Sequence, residues 1–139
     1  MPRKPDALVD TSAAVPLLVA DHDAHEDTWR ALHERELGLA GHAWFETFSV
    51  LTRLPGASRR DAATVIRLLS GNFPHSRFLD EASSVSLTGE LAALGVSGGA
   101  VYDALVAAAA AHHRLPLVSR DRRAAETYRA FDLEVELLA

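Results

Sequence analysis

What most constrains the fold of this chain is the brevity of its continuous apolar runs, each set between long stretches of helical periodicity. Ala7-Leu8-Val9 stops at Asp10, and Pro116-Leu117-Val118-Ser119 stops just short of Asp121. Apolar runs this short, closed by polar groups, read as buried strands. Helical segments lie between them. The first runs from about Ala13 to Ala20, capped by Thr11 or Ser12, and Asp23–Leu37 forms an exposed amphipathic helix stopped by Gly38. Leu39-Ala40 reads as a very short strand and Gly41 as a turn. Trp44, Phe45, Phe48, Leu51 and Leu54 recur at spacings of three and four, which predicts a helix over His42–Leu54 ended by Pro55-Gly56 and assigns its aromatic residues to the core.

Ser58 opens the next helix, with Ala62, Val65, Ile66 and Leu69 on one face and Gly71-Asn72 closing it; Ser76–Leu79 is a short strand candidate. Helices follow over Glu81–Leu94, with Gly95 as C-cap, and over Ala100–His113, joined through Gly98-Gly99. A final helix runs from Asp121 to about Ala130. Leu133–Leu137 alternates apolar and acidic residues, the pattern of an edge strand. Short strands alternating with helices predict a three-layer α/β/α sandwich on a short, mostly parallel sheet, with residues 1–139 forming one domain. In such a sheet ligands bind at the carboxyl ends of the strands, which directs attention to Asp10 and Asp121.

Composition removes several function classes. The 139 residues include no cysteine, which excludes a disulfide scaffold, a thiolate zinc site and a cysteine nucleophile. The longest apolar run, Ala104–Ala111, is far short of the roughly 18 residues a membrane span needs. The basic start, Met1-Pro2-Arg3-Lys4-Pro5, is not followed by the apolar stretch of a signal peptide, so the expected location is cytoplasmic. His22, His25, His33 and the His112-His113 pair make no zinc set, and Gly95–Gly99 lacks the Lys-Ser/Thr ending of a phosphate loop. The net charge of −5 argues against a polyanionic partner, but its distribution is uneven. Arg53, Arg59, Arg60, Arg67 and Arg77 cluster against one acid, Asp61, and Arg120, Arg122 and Arg123 form a second group. These arginines are either plain surface charge or contacts to phosphate.

Four acids stand in apolar surroundings. Asp10 ends a strand, Glu46 lies within Trp44-Phe45-Glu46-Thr47-Phe48, Asp103 lies between Val101-Tyr102 and Ala104-Leu105-Val106, and Asp121 follows Leu117-Val118-Ser119. Ionised carboxylates are costly there unless paired or bound to a metal, and converging carboxylates raise one another's pKa. A hard divalent cation such as magnesium relieves that repulsion and, through a bound water, suits phosphodiester hydrolysis. Each acid also has a plainer role: Asp10 and Asp121 as N-caps, Asp103 as a first-turn acid, Glu46 as an outward-facing side chain.

Taken in order, these pieces resemble a known family. Leu8-Val9-Asp10-Thr11-Ser12-Ala13, Trp44-Phe45-Glu46-Thr47 with Leu51-Thr52-Arg53, Tyr102-Asp103-Ala104-Leu105-Val106, and Pro116-Leu117-Val118-Ser119-Arg120-Asp121-Arg122-Arg123-Ala124 are similar to PIN-domain ribonucleases, and most closely to VapC-type toxins of bacterial toxin–antitoxin pairs. The resemblance covers nearly the whole chain. It implies a metal-dependent endoribonuclease cutting structured cellular RNA to leave 5′-phosphate and 3′-hydroxyl ends. Asp10, Glu46, Asp103 and Asp121 carry over as its acids, with Asp10 and Asp103 holding Mg2+ or Mn2+. Ser12 and Ser119 fall where the family has small hydroxyl residues; helix capping is their alternative role. Arg123 replaces a further acid that some members carry, which puts a second tightly held metal in doubt. A small antitoxin, lying over Leu17, Leu18, Val19 and the neighbouring helices, and a homodimer are also implied.

Two other readings remain open at this point. A haloacid-dehalogenase-like phosphatase or a receiver domain also places an aspartate after its first strand. The phosphatase pattern wants a second acid where this chain has Ser12, and both usually want a late lysine where this chain has only Lys4. A catalytically silent PIN-like binding module is the other, though such a surface gains nothing from clustered like charges.

Overall fold

The structure, a computed structural model, describes residues 4–139, so the first three residues of the basic N-terminal segment lie outside the described residues. The elements run β1 (Ala7–Val9), α1 (Thr11–Leu18), α2 (His25–Leu32), β2 (Leu37–Leu39), α3 (Ala43–Thr52), α4 (Ala62–Asn72), α5 (Glu81–Leu94), α6 (Ala100–His112), β3 (Leu117–Ser119), α7 (Arg122–Tyr128) and β4 (Val135–Leu137). A single 3-10 turn, Gly56–Ser58, separates α3 from α4. None of these helices is long and apolar enough to cross a membrane.

The four strands form one sheet in the order β2-β1-β3-β4, and every pairing is parallel. Leu8 lies opposite Leu117 and Val9 opposite Val118. β1, β2 and β3 are buried at all three positions, as parallel strands covered on both faces must be. β4 keeps the alternating pattern of an edge, with Glu136 outward. The order also sets where a site can form. From β1 the chain crosses one way to β2, whereas from β3 it crosses the other way to β4. Right-handed crossovers therefore put α1–α2 and α7 on opposite faces. A crevice opens where they diverge, at the carboxyl ends of the neighbouring strands β1 and β3.

Several boundaries differ from the sequence expectation, each for a local reason. α1 starts at Thr11 because Asp10, not Thr11 or Ser12, is its cap: the Ala13 N–H donates to Asp10 Oδ1 at 3.1 Å. α4 is capped by Asp61, which accepts from the Thr64 N–H, while Ser58 closes the 3-10 turn. α2 ends at Leu32, and Leu37 belongs to β2. Gly38 does not stop a helix; it sits mid-strand, where a Cβ would come within 2.2 Å of the His75 backbone. That close approach lets residues 75–77 run along the outer edge of β2. The His75 N–H donates to the Leu37 carbonyl and the Arg77 N–H to the Leu39 carbonyl. The strand expected at Ser76–Leu79 is thus reduced to one parallel bridge, Ala40 to Arg77.

The main core gathers Leu8, Val9, Leu39, Leu51, Leu69, Phe73, Leu117 and Val118, and a smaller cluster of Leu87, Leu91, Ala104 and Ala108 fills the α5–α6 seam. Trp44 and Phe48 pack against the main core, but Phe45, expected inside, is 62% exposed. Gly38→Ala should destabilise the fold by at least about 2 kcal/mol, because the added methyl meets backbone that must move. The thermal midpoint should fall by roughly 6–10 °C. Gly89→Ala, within α5 and facing open space, should instead gain up to about 1 kcal/mol by the same thermal-unfolding assay.

Candidate active site

β1 and β3 deliver Asp10 and Asp121 to adjacent positions at the carboxyl edge of the sheet. The Asp10 N–H continues the pairing by donating to the Val118 carbonyl at 3.1 Å. The Asp10 side chain is only 3% exposed and accepts four hydrogen bonds. Ser12 Oγ (2.6 Å) and the Ala13 N–H (3.1 Å) donate to Oδ1; Ser119 Oγ (2.6 Å) and the Tyr128 hydroxyl (2.8 Å) donate to Oδ2. Burial pushes the Asp10 carboxyl above the usual carboxylate range; the donors from Ser119, Ser12, Tyr128 and Ala13 oppose that rise without cancelling it. The serines are themselves tied down. Ser12 Oγ accepts from the Arg120 N–H at 2.8 Å, and Ser119 Oγ accepts from the Asp121 N–H at 3.0 Å. Neither serine caps a helix, whereas Asp10 and Asp121 both do: Asp121 Oδ1 accepts from the Arg123 and Ala124 N–H groups at the start of α7.

Glu46 on α3 and Asp103 on α6 line an open cleft of about 560 Å3, together with His42, Tyr102, Arg123 and Thr127. Asp10 and Asp121 are not part of its walls, yet their charges reach it. The Asp103 carboxyl is raised, first by burial and then by Asp121; Glu46 and Asp10 push the same way, and the Arg123 guanidinium pulls it back. The charges of Asp121, Glu46 and Asp10 are thus all felt at Asp103. Arg123, where an acid was weighed, supplies positive charge instead. Arg120 is half-buried and Arg122 exposed beside it.

Tyr128 was not anticipated. It lies one turn beyond Ala124 and Ala125 on the buried face of α7 and is only 2% exposed. Its phenol is pushed far up by burial, by the Asp10 charge and by the bond to Asp10, so it serves as a hydroxyl donor and not as a phenolate. The signal available was indirect: a tyrosine on a buried helix face needs a partner for its hydroxyl. His42 and Tyr102, whose rings lie 5.0 Å apart on the cleft wall, were also missed.

The donor set is all oxygen, with several carboxylates under mutual repulsion, which is the chemistry a hard divalent cation fits. Among the described residues no three His, Asp or Glu side chains grip an ion as they stand. A carboxyl raised in the folded state favours its protonated form, so it lowers stability as pH climbs from the ordinary carboxylate range through its folded pKa. Asp103→Asn removes that charge. The variant should unfold a few degrees higher than the parent at pH 7, and the two should converge near pH 4 in a thermal-unfolding series.

Comparison with known proteins places this arrangement. Residues 7–130 match the PIN domain family. The chain is 46% identical over 136 residues to ribonuclease VapC27 of Mycobacterium tuberculosis, covering 98% of this chain and 99% of that one. It is 42% identical over 131 residues to ribonuclease VapC40 of the same species, covering 93% and 96%. Among solved structures, FitAB bound to an IR36 DNA fragment superposes with a TM-score of 0.63 at 18% identity over 92% of each chain. FitAcB from Neisseria gonorrhoeae gives 0.62 at 18% identity, over 93% of this chain and 95% of that one. These two share the fold. The family match spans most of the residues, and both curated relatives align almost end to end: the chain belongs to the PIN domain family, of the VapC type.

Proposed function

We propose that this protein is a divalent-metal-dependent endoribonuclease, the toxin of a cytoplasmic toxin–antitoxin pair. The observation that carries this reading is the convergence on Asp103 of charge from Asp121, Glu46 and Asp10, brought together from β1, α3, α6 and the β3–α7 junction. Support also comes from the ribonuclease relatives and, for the antitoxin, from the VapC type of the match. Asp10 and Asp103 hold Mg2+ or Mn2+, and Glu46 and Asp121 complete the site and orient the attacking water. The ion, when bound, offsets the carboxylate charge, lowers the pKa of a water and stabilises negative charge on the phosphate. Arg123, on the cleft wall, contacts RNA phosphate in this scheme; Arg122 adjoins it at the start of α7, and Arg120 precedes the helix.

The surrounding residues have defined tasks in this scheme. Ser12 and Ser119 stabilise the buried Asp10 charge and tie it to β3 and Arg120. The position where a haloacid-dehalogenase-like phosphatase needs its second acid is held by the Ser12 hydroxyl, already donated to Asp10, which weighs against that alternative. A groove of about 310 Å3, lined by Leu17, Leu18, Trp29 and Leu68 but also by His25, His33, Arg35 and Asn72, offers a mixed apolar and polar seat for the antitoxin. We further infer a homodimer, on the resemblance alone.

Asp10→Asn and Asp103→Asn should each lower cleavage of a synthetic RNA by at least about 100-fold, the scale for losing a group that stabilises developing charge. A chelator should abolish the parent's activity, and Mg2+ or Mn2+ should restore it. Either variant cleaving as fast as the parent would overturn the assignment.

A further inference from the structure

The Asp10 carboxylate has about four lone-pair positions, and four donors occupy them. An ion can therefore reach this residue only where a donor gives way. The two oxygens are held by different parts of the chain. Oδ1 is bound within the first turn of α1, by the Ala13 N–H at 3.1 Å and by the half-buried Ser12 hydroxyl at 2.6 Å, a bond as short as that from Ser119 to Oδ2. That hydroxyl has another neighbour, Ser119 Oγ at 3.2 Å. Oδ2 is bound from the far end of the chain by Ser119 and Tyr128, both fully buried. Turning the carboxylate about its own axis would break the two buried Oδ2 bonds along with the two at Oδ1.

We propose that Tyr128 is a positioning residue: its hydroxyl, with Ser119, locks Oδ2 so that Asp10 presents Oδ1 to the ion. The inference rests on the metal-nuclease reading above and goes beyond it by assigning different roles to the two oxygens. Hydrogen bonds to a ligating carboxylate fix its orientation, and losing one typically weakens metal binding about 10- to 100-fold. A tyrosine that merely filled the core would lower stability when its hydroxyl was removed but would leave ion affinity alone.

The test is calorimetric titration of Mn2+ alone into the full chain, as parent, Tyr128→Phe and Asp10→Asn, with the thermal midpoint of each measured without metal. Tyr128→Phe should bind Mn2+ about 10-fold more weakly, and Asp10→Asn should show no binding heat. If Tyr128→Phe unfolds at a lower temperature but binds within about twofold of the parent while Asp10→Asn has lost binding, the positioning role is wrong and the nuclease reading stands. If Asp10→Asn binds as the parent does, the ion is not held at Asp10 and both fail. Should Tyr128→Phe not fold, Tyr128→Met also lacks the hydroxyl, fills the space with a flexible chain, and is read by the same criteria.

Discussion

A single buried carboxylate organises this protein. Asp10 caps α1 through the Ala13 N–H, and its side chain is bonded to α7 through Tyr128 and to the end of β3 through Ser119. The Ser12 hydroxyl that donates to it also receives the Arg120 N–H. Elements at opposite ends of the chain thus meet on two oxygen atoms. A charge in this position would be prohibitive without those donors, and even with them burial keeps its pKa raised. Folding is therefore worked against by the same group on which the proposed chemistry depends. Such a residual cost is characteristic of functional sites, where activity is retained at the expense of stability.

The sheet explains why the acids gather where they do. Three-residue strands leave little freedom in register, and pairing Leu8 with Leu117 and Val9 with Val118 sets Asp10 beside the β3–α7 junction. The crossovers leaving β1 and β3 diverge at that point, which opens space for a cleft. α3 and α6 then bring Glu46 and Asp103 over the same edge. Arg123 offsets part of the charge on Asp103, while Glu126 adds a third carboxylate to the cleft wall.

Much of this was legible from neighbouring residues. Ala7-Leu8-Val9 and Leu117-Val118-Ser119 are strands because apolar runs closed by polar groups need burial on both faces. The carboxyl-end rule then pointed to Asp10 and Asp121. For those acids the capping reading holds: each caps a helix, and each also raises the Asp103 carboxyl through its charge. Other features escaped. Leu37-Gly38-Leu39 resembles the end of a helix because glycine usually ends one, and only the neighbouring His75 backbone shows that the glycine makes room for an edge. Phe45 shares the helical spacing of the core residues, yet it points away from them toward solvent.

By itself, the amino-acid order bounded the kind of chemistry available: no thiol, and carboxylates embedded in apolar segments. It also determined most elements, because periodicity, caps and breakers act over a few residues. Only the tertiary structure decided which hydroxyls satisfy Asp10. Ser119 and Tyr128 stand 109 and 118 residues away from it, beyond the reach of any local rule. Which donor meets which oxygen follows from strand register and from the packing of α7 against the sheet. Hydrogen bonds require ångström-scale placement, and that placement exists only once the core has closed.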